Sequence, residues 1–215
     1  MTEPYNPLAT LNLARSIEQE MLRQPRQPLH DLRQAGGAGV YALYYHGPYP
    51  LYAALARSLG SPVEKPIYVG KAIPKGGRVG GLTRDAMKGR PLGNRLSVHA
   101  RSIGEAANLE LSDFTARILV VDDVWIPLGE NMLIQQFQPV WNVVASGFGN
   151  AAPGRGRPDQ AMSYWDTLHP GRKHSRLLGP NPLSLSEIAG RVQGHLAGEI
   201  VPLAAEEPED ENLDD

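Results

Sequence analysis

Two tyrosines in matching local settings are the first residues of this sequence that could take part in chemistry. Tyr41 lies in residues 39–45, which read GVYALYY, and Tyr68 lies in residues 66–71, which read PIYVGK. Both runs are rich in β-branched and aromatic residues and are bounded by glycine or proline, so both are predicted to be strands. Two neighbouring strands can place two phenols close together on one face of a sheet. The pair is therefore a candidate site, although tyrosine is also common in strands that carry no chemistry.

An arginine and a histidine follow at helical spacing. Arg95 and His99 are four residues apart in a predicted helix over residues 92–103, so their side chains share one face. A guanidinium is suited to holding a phosphate, and an imidazole can carry a proton near neutral pH. With this face opposite the two tyrosines, the side chains could bind a phosphate group and act on it.

Glu130 is the acidic candidate. It lies in the first turn of the next predicted helix, which runs from Pro127 to about Gln138. An acid at this position could simply complement the helix dipole, or it could be a carboxylate ligand for a hard divalent cation. Asn142 lies just beyond the helix, where the residues alone allow it to be no more than a turn residue.

A basic, glycine-rich stretch joins these elements. Residues 65–101 hold nine Lys or Arg and one acid, Asp85, in a chain whose formal net charge is −2. Glycine lets a backbone approach closely and basic side chains offer donors to phosphate, so nucleic acid is the favoured partner and a solvated loop is the alternative. The candidate DNA contacts here are Lys71, Lys75, Arg78 and Arg84.

A second basic, glycine-rich loop follows at residues 146–158, and a short aromatic and basic segment comes after it at residues 163–174. The loop suits contacts to DNA backbone and base edges, or it could be a linker. The aromatic residues could pack a short helix onto the sheet while the basic residues touch DNA. The candidate DNA contacts in this part are Asn150, Arg155, Arg157 and Arg172.

The predicted elements divide the chain into four parts. They are an N-terminal helical arm (1–35), a core (36–145) with an insertion at 48–66, a recognition extension (146–200) and an acidic tail (201–215). The insertion is predicted to hold a short helix over 51–59. Phe114 to Val121, which is apolar and β-branched, is predicted to be the third strand of the core.

Composition excludes several classes of protein. The 215 residues include no cysteine, which excludes disulfide scaffolds, thiolate zinc sites and cysteine nucleophiles. The last ten residues hold seven acids, so the rest of the chain has 21 basic against 23 − 7 = 16 acidic residues and is mildly basic. No run is apolar enough for a membrane span, and the N-terminus is polar. We therefore expect a cytoplasmic protein with no membrane partner.

The ordered set of residues resembles the GIY-YIG nuclease superfamily. The resemblance covers about residues 36–145 and rests on G-V-Y (39–41), Y-V-G (68–70), Arg95, His99, Glu130 and Asn142. The sequence is more similar still to the type II restriction endonucleases that cut GC-rich palindromes of the CCGCGG kind. This branch shares the long separation of the two tyrosine strands and the downstream patterns W-N, G-F-G-N, P-G-x-G-R and W-D-x-x-H-P-G-R, which extends the likeness to about 30–176.

The resemblance implies a fold, a reaction and a role for each residue. The fold would be of the α/β (α+β) class, with a small three-stranded sheet flanked by helices. The reaction would be phosphodiester hydrolysis with Mg²⁺, for which Mn²⁺ could substitute, bound by Glu130. Tyr41 would orient or deprotonate the attacking water with His99 as proton acceptor, and which of the two is the final base stays open. Arg95 would neutralise the phosphate, and Tyr68 and Asn142 would complete the pocket.

The resemblance also implies partners. A restriction enzyme acts on double-stranded DNA, and one set of site residues cuts one strand, so we expect a homodimer on a palindrome. The N-terminal helix and the insertion at 48–66 are the expected interface, and a cognate DNA methyltransferase is expected in the same system. Two alternatives remain open: a repair-type or homing-type nuclease of the same superfamily, and a catalytically inactive DNA-binding module.

Overall fold

One antiparallel sheet organises the fold. The computed structural model describes residues 10–61, 64–73, 89–150 and 161–202. Within these residues the sheet has four strands, namely β1 (Gln27–Pro28), β2 (Gly39–Tyr45), β3 (Tyr68–Ala72) and β4 (Phe114–Val120). They lie in the order β1-β4-β2-β3, and each neighbouring pair is antiparallel.

The expected three strands are present, and β1 adds a fourth. Its two residues pair with the far edge of β4, where Gln27 lies opposite Ala116 and Pro28 lies opposite Thr115. Proline is tolerated there because an edge strand can leave one N–H position unpaired. This short segment of the predicted N-terminal arm (1–35) therefore belongs to the sheet.

Helices surround the sheet, and one of them contains Asn142, which the residues alone allowed to be no more than a turn residue. The described α-helices are α1 (Thr10–Arg23), α2 (Ala53–Ser58), α3 (Pro91–Glu105), α4 (Ile126–Phe137), α5 (Val140–Val143), α6 (Tyr164–Leu168) and α7 (Leu185–Leu196). Short 3-10 helices occupy Leu29–Gln34, Pro50–Tyr52, Leu111–Asp113, Asp123–Trp125 and His174–Leu177. No helix of the described ranges is long and apolar enough to cross a membrane.

Strand β2 is the centre of the molecule, because all seven of its residues are buried. Side chains alternate between the two faces of a strand, so Tyr41 and Tyr45 enter one hydrophobic cluster while Val40 and Tyr44 enter a second cluster on the opposite face. The first face therefore carries the tyrosine of the G-V-Y motif into a closed interior.

Each face of the sheet is covered by a different set of helices. Met21 of α1 and Leu133 of α4 are fully buried in the second cluster. The first cluster includes Leu96 of α3, Trp165 of α6 and Ile188 of α7. The C-terminal extension is therefore packed into the same core as the predicted nuclease unit, as far as its described residues show.

Candidate active site

The register of β2 and β3 brings the two motif tyrosines together. Tyr41 lies opposite Gly70, and Leu43 lies opposite Tyr68. The two tyrosines are thus diagonal neighbours on one face of the sheet, and their ring centroids are 6.3 Å apart. This is the arrangement that the spacing of the two motifs allowed.

The motif glycines make room for this arrangement. A Cβ on Gly70 would lie 2.4 Å from the Tyr41 hydroxyl oxygen, and a Cβ on Gly39 would lie 2.1 Å from the carbonyl oxygen of Leu119. Real Cβ atoms essentially never show contacts under 3.0 Å. Glycine is therefore required at Gly70 because the Tyr41 phenol fills the space beside it, and at Gly39 because the neighbouring strand is close.

Helix α3 supplies the arginine and the histidine. Nε2 of His99 is 2.6 Å from Oη of Tyr41, and the positive charge of Arg95 acts on the phenols of Tyr41 and Tyr68. The side chains sit four residues apart on one helix face, as predicted, and this face is turned toward the tyrosines. Four of the predicted site residues therefore form one contiguous cluster.

Burial keeps the tyrosine–histidine pair neutral. It raises the pKa of Tyr41 well above its ordinary value; Tyr68 adds to the rise and the Arg95 guanidinium opposes it. Burial also lowers the pKa of His99 well below its ordinary value, and the positive charges of Arg95 and Arg172 lower it further. At neutral pH the phenol therefore holds its proton, and the imidazole is free of charge and able to accept one.

Glu130 lies on α4, which covers the face of the sheet opposite α3. It is 7% exposed and pairs through Oε2 with Nζ of Lys71 at 2.8 Å. Its charge contributes to the high pKa of Tyr41, which places the carboxylate within electrostatic reach of the phenol, although burial is the main cause of that shift. Lys71, predicted as a phosphate contact, is thus also the counter-ion of Glu130.

The donor set fits a magnesium ion. The described residues hold no group of three or more His, Cys, Asp or Glu side chains that could bind a metal, so Glu130 is not part of such a group. Mg²⁺ is commonly held by one or two carboxylates and completed by water and substrate phosphates. A buried carboxylate that is paired with a lysine is consistent with that mode of binding.

Asn142 supports β3 through the backbone. Its Oδ1 accepts a hydrogen bond from the Val69 N–H and its Nδ2 donates to the Val69 carbonyl, both at 2.8 Å. The asparagine lies in α5 and holds the centre of the Y-V-G motif from 73 residues away. Within the described structure it positions the strand that carries Tyr68.

A comparison with known protein families identifies the family of this chain. Residues 33–196 match the family model described as the Eco29kI GIY-YIG domain. The chain belongs to this family. A comparison with curated proteins finds no match. The chain is therefore a restriction-type GIY-YIG nuclease, a DNA endonuclease, and the matched range contains every residue of the site just described.

Phe148 lies against the site of this GIY-YIG domain, and the sequence did not predict it as a site residue. Its ring is 1% exposed and stacks on the His99 imidazole with centroids 4.6 Å apart and an interplanar angle of 17°. The neighbouring Gly149 carbonyl accepts a hydrogen bond from Nη2 of Arg95 at 3.2 Å. The G-F-G-N pattern is the available signal, and it predicted only a DNA-contacting loop.

Arg172 was predicted to contact DNA, and the described structure buries it in the GIY-YIG domain. Its side chain is 1% exposed, and it pairs with both carboxylate oxygens of Asp166 at 2.7 Å. This position contradicts the predicted contact with DNA, because a buried guanidinium paired with a carboxylate has no surface to offer a phosphate. Arg172 was predicted to be exposed because it lies in a basic segment, whereas its partner is the buried carboxylate of Asp166.

The remaining predicted DNA contacts are Asn150 and five residues outside the described ranges. Asn150 is described and half-buried, and its carbonyl accepts a hydrogen bond from Arg172 at 3.4 Å. A contact between its side chain and DNA stays a prediction. Five other predicted contacts lie outside the described residues, namely Lys75, Arg78, Arg84, Arg155 and Arg157.

Proposed function

We propose that the chain is a type II restriction endonuclease that makes Mg²⁺-dependent double-strand breaks at a GC-rich palindromic DNA site. The observation that supports it most is the 2.6 Å contact between Tyr41 Oη and His99 Nε2. It joins a hydroxyl that can hold an attacking water to a neutral base that can take up a proton. Arg95, whose charge acts on the same phenol, supplies a positive charge suited to the phosphate.

In the proposed reaction the proton of the attacking water passes through the tyrosine. The Tyr41 oxygen accepts a proton from the water while the Tyr41 hydroxyl gives its own proton to His99 Nε2. The water oxygen forms a bond to phosphorus, the bond from phosphorus to the 3′ oxygen breaks, and that oxygen takes a proton from solvent while His99 releases its new proton to solvent. Because the two transfers occur together, no buried phenolate forms, and the high pKa of Tyr41 opposes one. The His99 imidazolium that does form is short-lived, because the low pKa of His99 favours release of its proton.

The other side chains hold and neutralise the phosphate. Arg95 would stabilise the negative charge that develops on the phosphate in the transition state. Glu130 would hold the Mg²⁺, or Mn²⁺ in its place. The ion, when bound, stabilises charge on the phosphate and on the leaving 3′ oxygen. Lys71 holds the Glu130 carboxylate in place, since the two are already paired at 2.8 Å.

The proposal extends to the assembly and its partners. One set of site residues cuts one strand, so two chains are needed to cut both strands at symmetric positions. We propose a homodimer on a twofold-symmetric site in double-stranded DNA. A DNA methyltransferase of the same sequence specificity would protect the host genome from such an enzyme.

The experiment replaces the metal-binding carboxylate. In a plasmid-cleavage assay with Mg²⁺, Glu130→Gln should reduce the cleavage rate by roughly 10²- to 10³-fold, the equivalent of the few kcal/mol that a metal contributes to the transition state. Binding of the duplex, measured by gel shift, should be retained, because the substitution removes a negative charge near the phosphate. Omission of divalent metal should abolish cleavage by the wild type.

Glu64→Gln is the matched control. Glu64 is also a partly buried, ion-paired glutamate, bonded to Arg117 at 2.9 Å, and its side chain is 12% exposed against 9% for Glu130. It lies outside the site, so this variant should cut at close to the wild-type rate. Full activity of Glu130→Gln in Mg²⁺ would disprove the metal assignment, and cleavage that gives only nicked circles would contradict the restriction function.

A further inference from the structure

A loop from the C-terminal extension lies directly on the catalytic pair. We name residues 147–150 the Phe148 loop. Its phenyl ring stacks on His99 at 4.6 Å and meets the Tyr68 ring edge-on at 5.0 Å. Its Gly149 carbonyl bonds Arg95 at 3.2 Å. One loop therefore contacts both the proton acceptor and the phosphate-binding arginine.

The loop is held by one buried guanidinium. Nη2 of Arg172 donates to the Gly147 carbonyl at 2.8 Å, and Nη1 donates to the carbonyls of Phe148 at 3.1 Å and Asn150 at 3.4 Å. Nε and Nη2 donate to the two carboxylate oxygens of Asp166. A guanidinium has five N–H donors, and these five bonds use all of them. No other side chain could reach three carbonyls and a carboxylate in this fork geometry.

Asp166 is itself fixed in place. It is 2% exposed, and the Ser163 hydroxyl, which caps α6, donates to its Oδ2 at 2.7 Å. The guanidinium lies 4.6 Å from the centroid of the Trp165 ring. Gly147 packs so closely on Ser163 that a Cβ on it would lie 2.2 Å from the serine Cβ. These contacts therefore fix the Phe148 loop in one conformation.

A buried ion pair needs a reason other than stability. Removing two charges from water costs about as much as their attraction returns, so apolar residues of similar volume often stabilise a core equally well. What apolar residues cannot do is hold three backbone carbonyls in one arrangement. The geometry of the Phe148 loop is thus the specific result of the Arg172–Asp166 pair.

We propose that Arg172 and Asp166 are positioning residues for the catalytic pair, acting through the Phe148 loop. Phe148 fixes the plane of the His99 ring so that Nε2 points at the Tyr41 hydroxyl, and the Gly149 carbonyl fixes the guanidinium of Arg95. This inference rests on the proposed function. It assigns W-D-x-x-H-P-G-R, which contains both charged residues, to the assembly of the active site.

The first test replaces the stacked ring. Phe148→Leu should lower kcat for cleavage of a cognate duplex by roughly 10- to 100-fold, since displacement of reacting groups by about 1 Å has that effect, and it should leave KM nearly unchanged. Phe114→Leu is the matched control, because both phenylalanines are 1% exposed and both pack on Trp141. Phe114 does not contact His99, so its replacement should lower the melting temperature to a similar extent and leave kcat within about threefold of the wild type.

Nuclear magnetic resonance gives a readout that does not depend on cleavage. The ring protons of His99, assigned by their loss in His99→Gln, should lie upfield in the wild type because the Phe148 ring shields them. They should move downfield in Phe148→Leu and stay in place in Phe114→Leu. Unmoved resonances in Phe148→Leu would overturn the stacking on which the inference depends.

The second test weakens the guanidinium. Arg172→Lys keeps the charge and loses most of the five bonds, so kcat should fall and the His99 resonances should shift in the same direction as in Phe148→Leu. Arg117→Lys is its control, since Arg117 is a partly buried, ion-paired arginine remote from the site. If Arg172→Lys does not fold, Phe148→Leu still tests whether the Phe148 loop positions the catalytic pair.

The two failures can be told apart. A wild-type protein that does not cleave DNA would overturn the proposed function. A wild-type protein that cleaves, with Phe148→Leu and Phe114→Leu showing the same kcat, would overturn only the positioning role.

Discussion

Gly70→Ala is the sharpest test of how the site is packed. The added Cβ would lie 2.4 Å from Oη of Tyr41, 2.6 Å from Cζ of the same ring and 2.9 Å from Cε1 of Tyr68. Ordinary contacts begin at 3.4 Å, so the phenol oxygen must move by about 1 Å (3.4 − 2.4). No backbone group is involved in these contacts, and the substitution therefore acts on the catalytic tyrosines themselves.

The size of the effect follows from that displacement. The bond from Tyr41 to His99 is 2.6 Å long, and a shift of about 1 Å exceeds the latitude of a hydrogen bond. A misplacement of this size lowers turnover by about 100-fold. Overpacking of a core costs about 1–3 kcal/mol, which for a chain of this length lowers the melting temperature by roughly 2–12 °C.

The assay compares kcat for a cognate duplex, KM and thermal melting in three proteins. They are the wild type, Gly70→Ala and Gly104→Ala. Nothing lies within 4 Å of a Cβ on Gly104, which is in α3, so alanine there should raise stability by about 0.5–1 kcal/mol and leave kcat unchanged.

Two outcomes would refute the packing argument. One is a wild-type kcat in Gly70→Ala. The other is a loss of binding with no loss of turnover, because that result would assign Gly70 to the DNA surface and not to the space beside Tyr41.

Two further predictions concern pH and assembly. Burial lowers the pKa of His99 well below its usual range and that of His169 to about 3. Below about pH 6.5 the unfolded chain therefore binds more protons than the folded chain. The free energy of unfolding has its full value above that pH and decreases as the pH falls. Protonation of the two imidazoles in the unfolded chain should lower the free energy of unfolding by roughly 2–3 kcal/mol between about pH 7 and 5.5. Urea unfolding measures this free energy, and a constant value over that interval would contradict the prediction. For assembly, light scattering on a palindromic duplex should give two chains per duplex, and one chain per duplex with concerted double-strand breaks would disprove the dimer.

Much of the fold could be predicted from local signals. The runs around Tyr41 and Tyr68 are rich in β-branched and aromatic residues and are bounded by glycine or proline, and both are strands. Arg95 and His99 share a helix face because they are four residues apart. Helix α4 begins at Ile126 next to a proline, which is favoured in a first helical turn. Such signals depend only on residues that are close in sequence.

Local signals could not predict β1 or the partner of Arg172. A strand of two residues has no periodicity, and Gln27 and Pro28 are strand residues only because β4 lies beside them. The positive charge of Arg172 indicates an acidic or phosphate partner without saying which one. Asp166, only six residues away, is that partner because the turn after α6 folds the two together inside the core.

The sequence by itself determined which chemical groups the site contains and the order of the elements that carry them. It also determined that glycine stands at 39 and 70, without revealing why. Tertiary structure decided which groups meet: Tyr41 reaches His99 across 58 residues of chain, and Phe148 lies on His99 because Arg172 holds its loop. The physical reason is that contacts between distant segments depend on how whole helices and strands pack, and the type of a single residue does not state whether it faces water, DNA or another side chain.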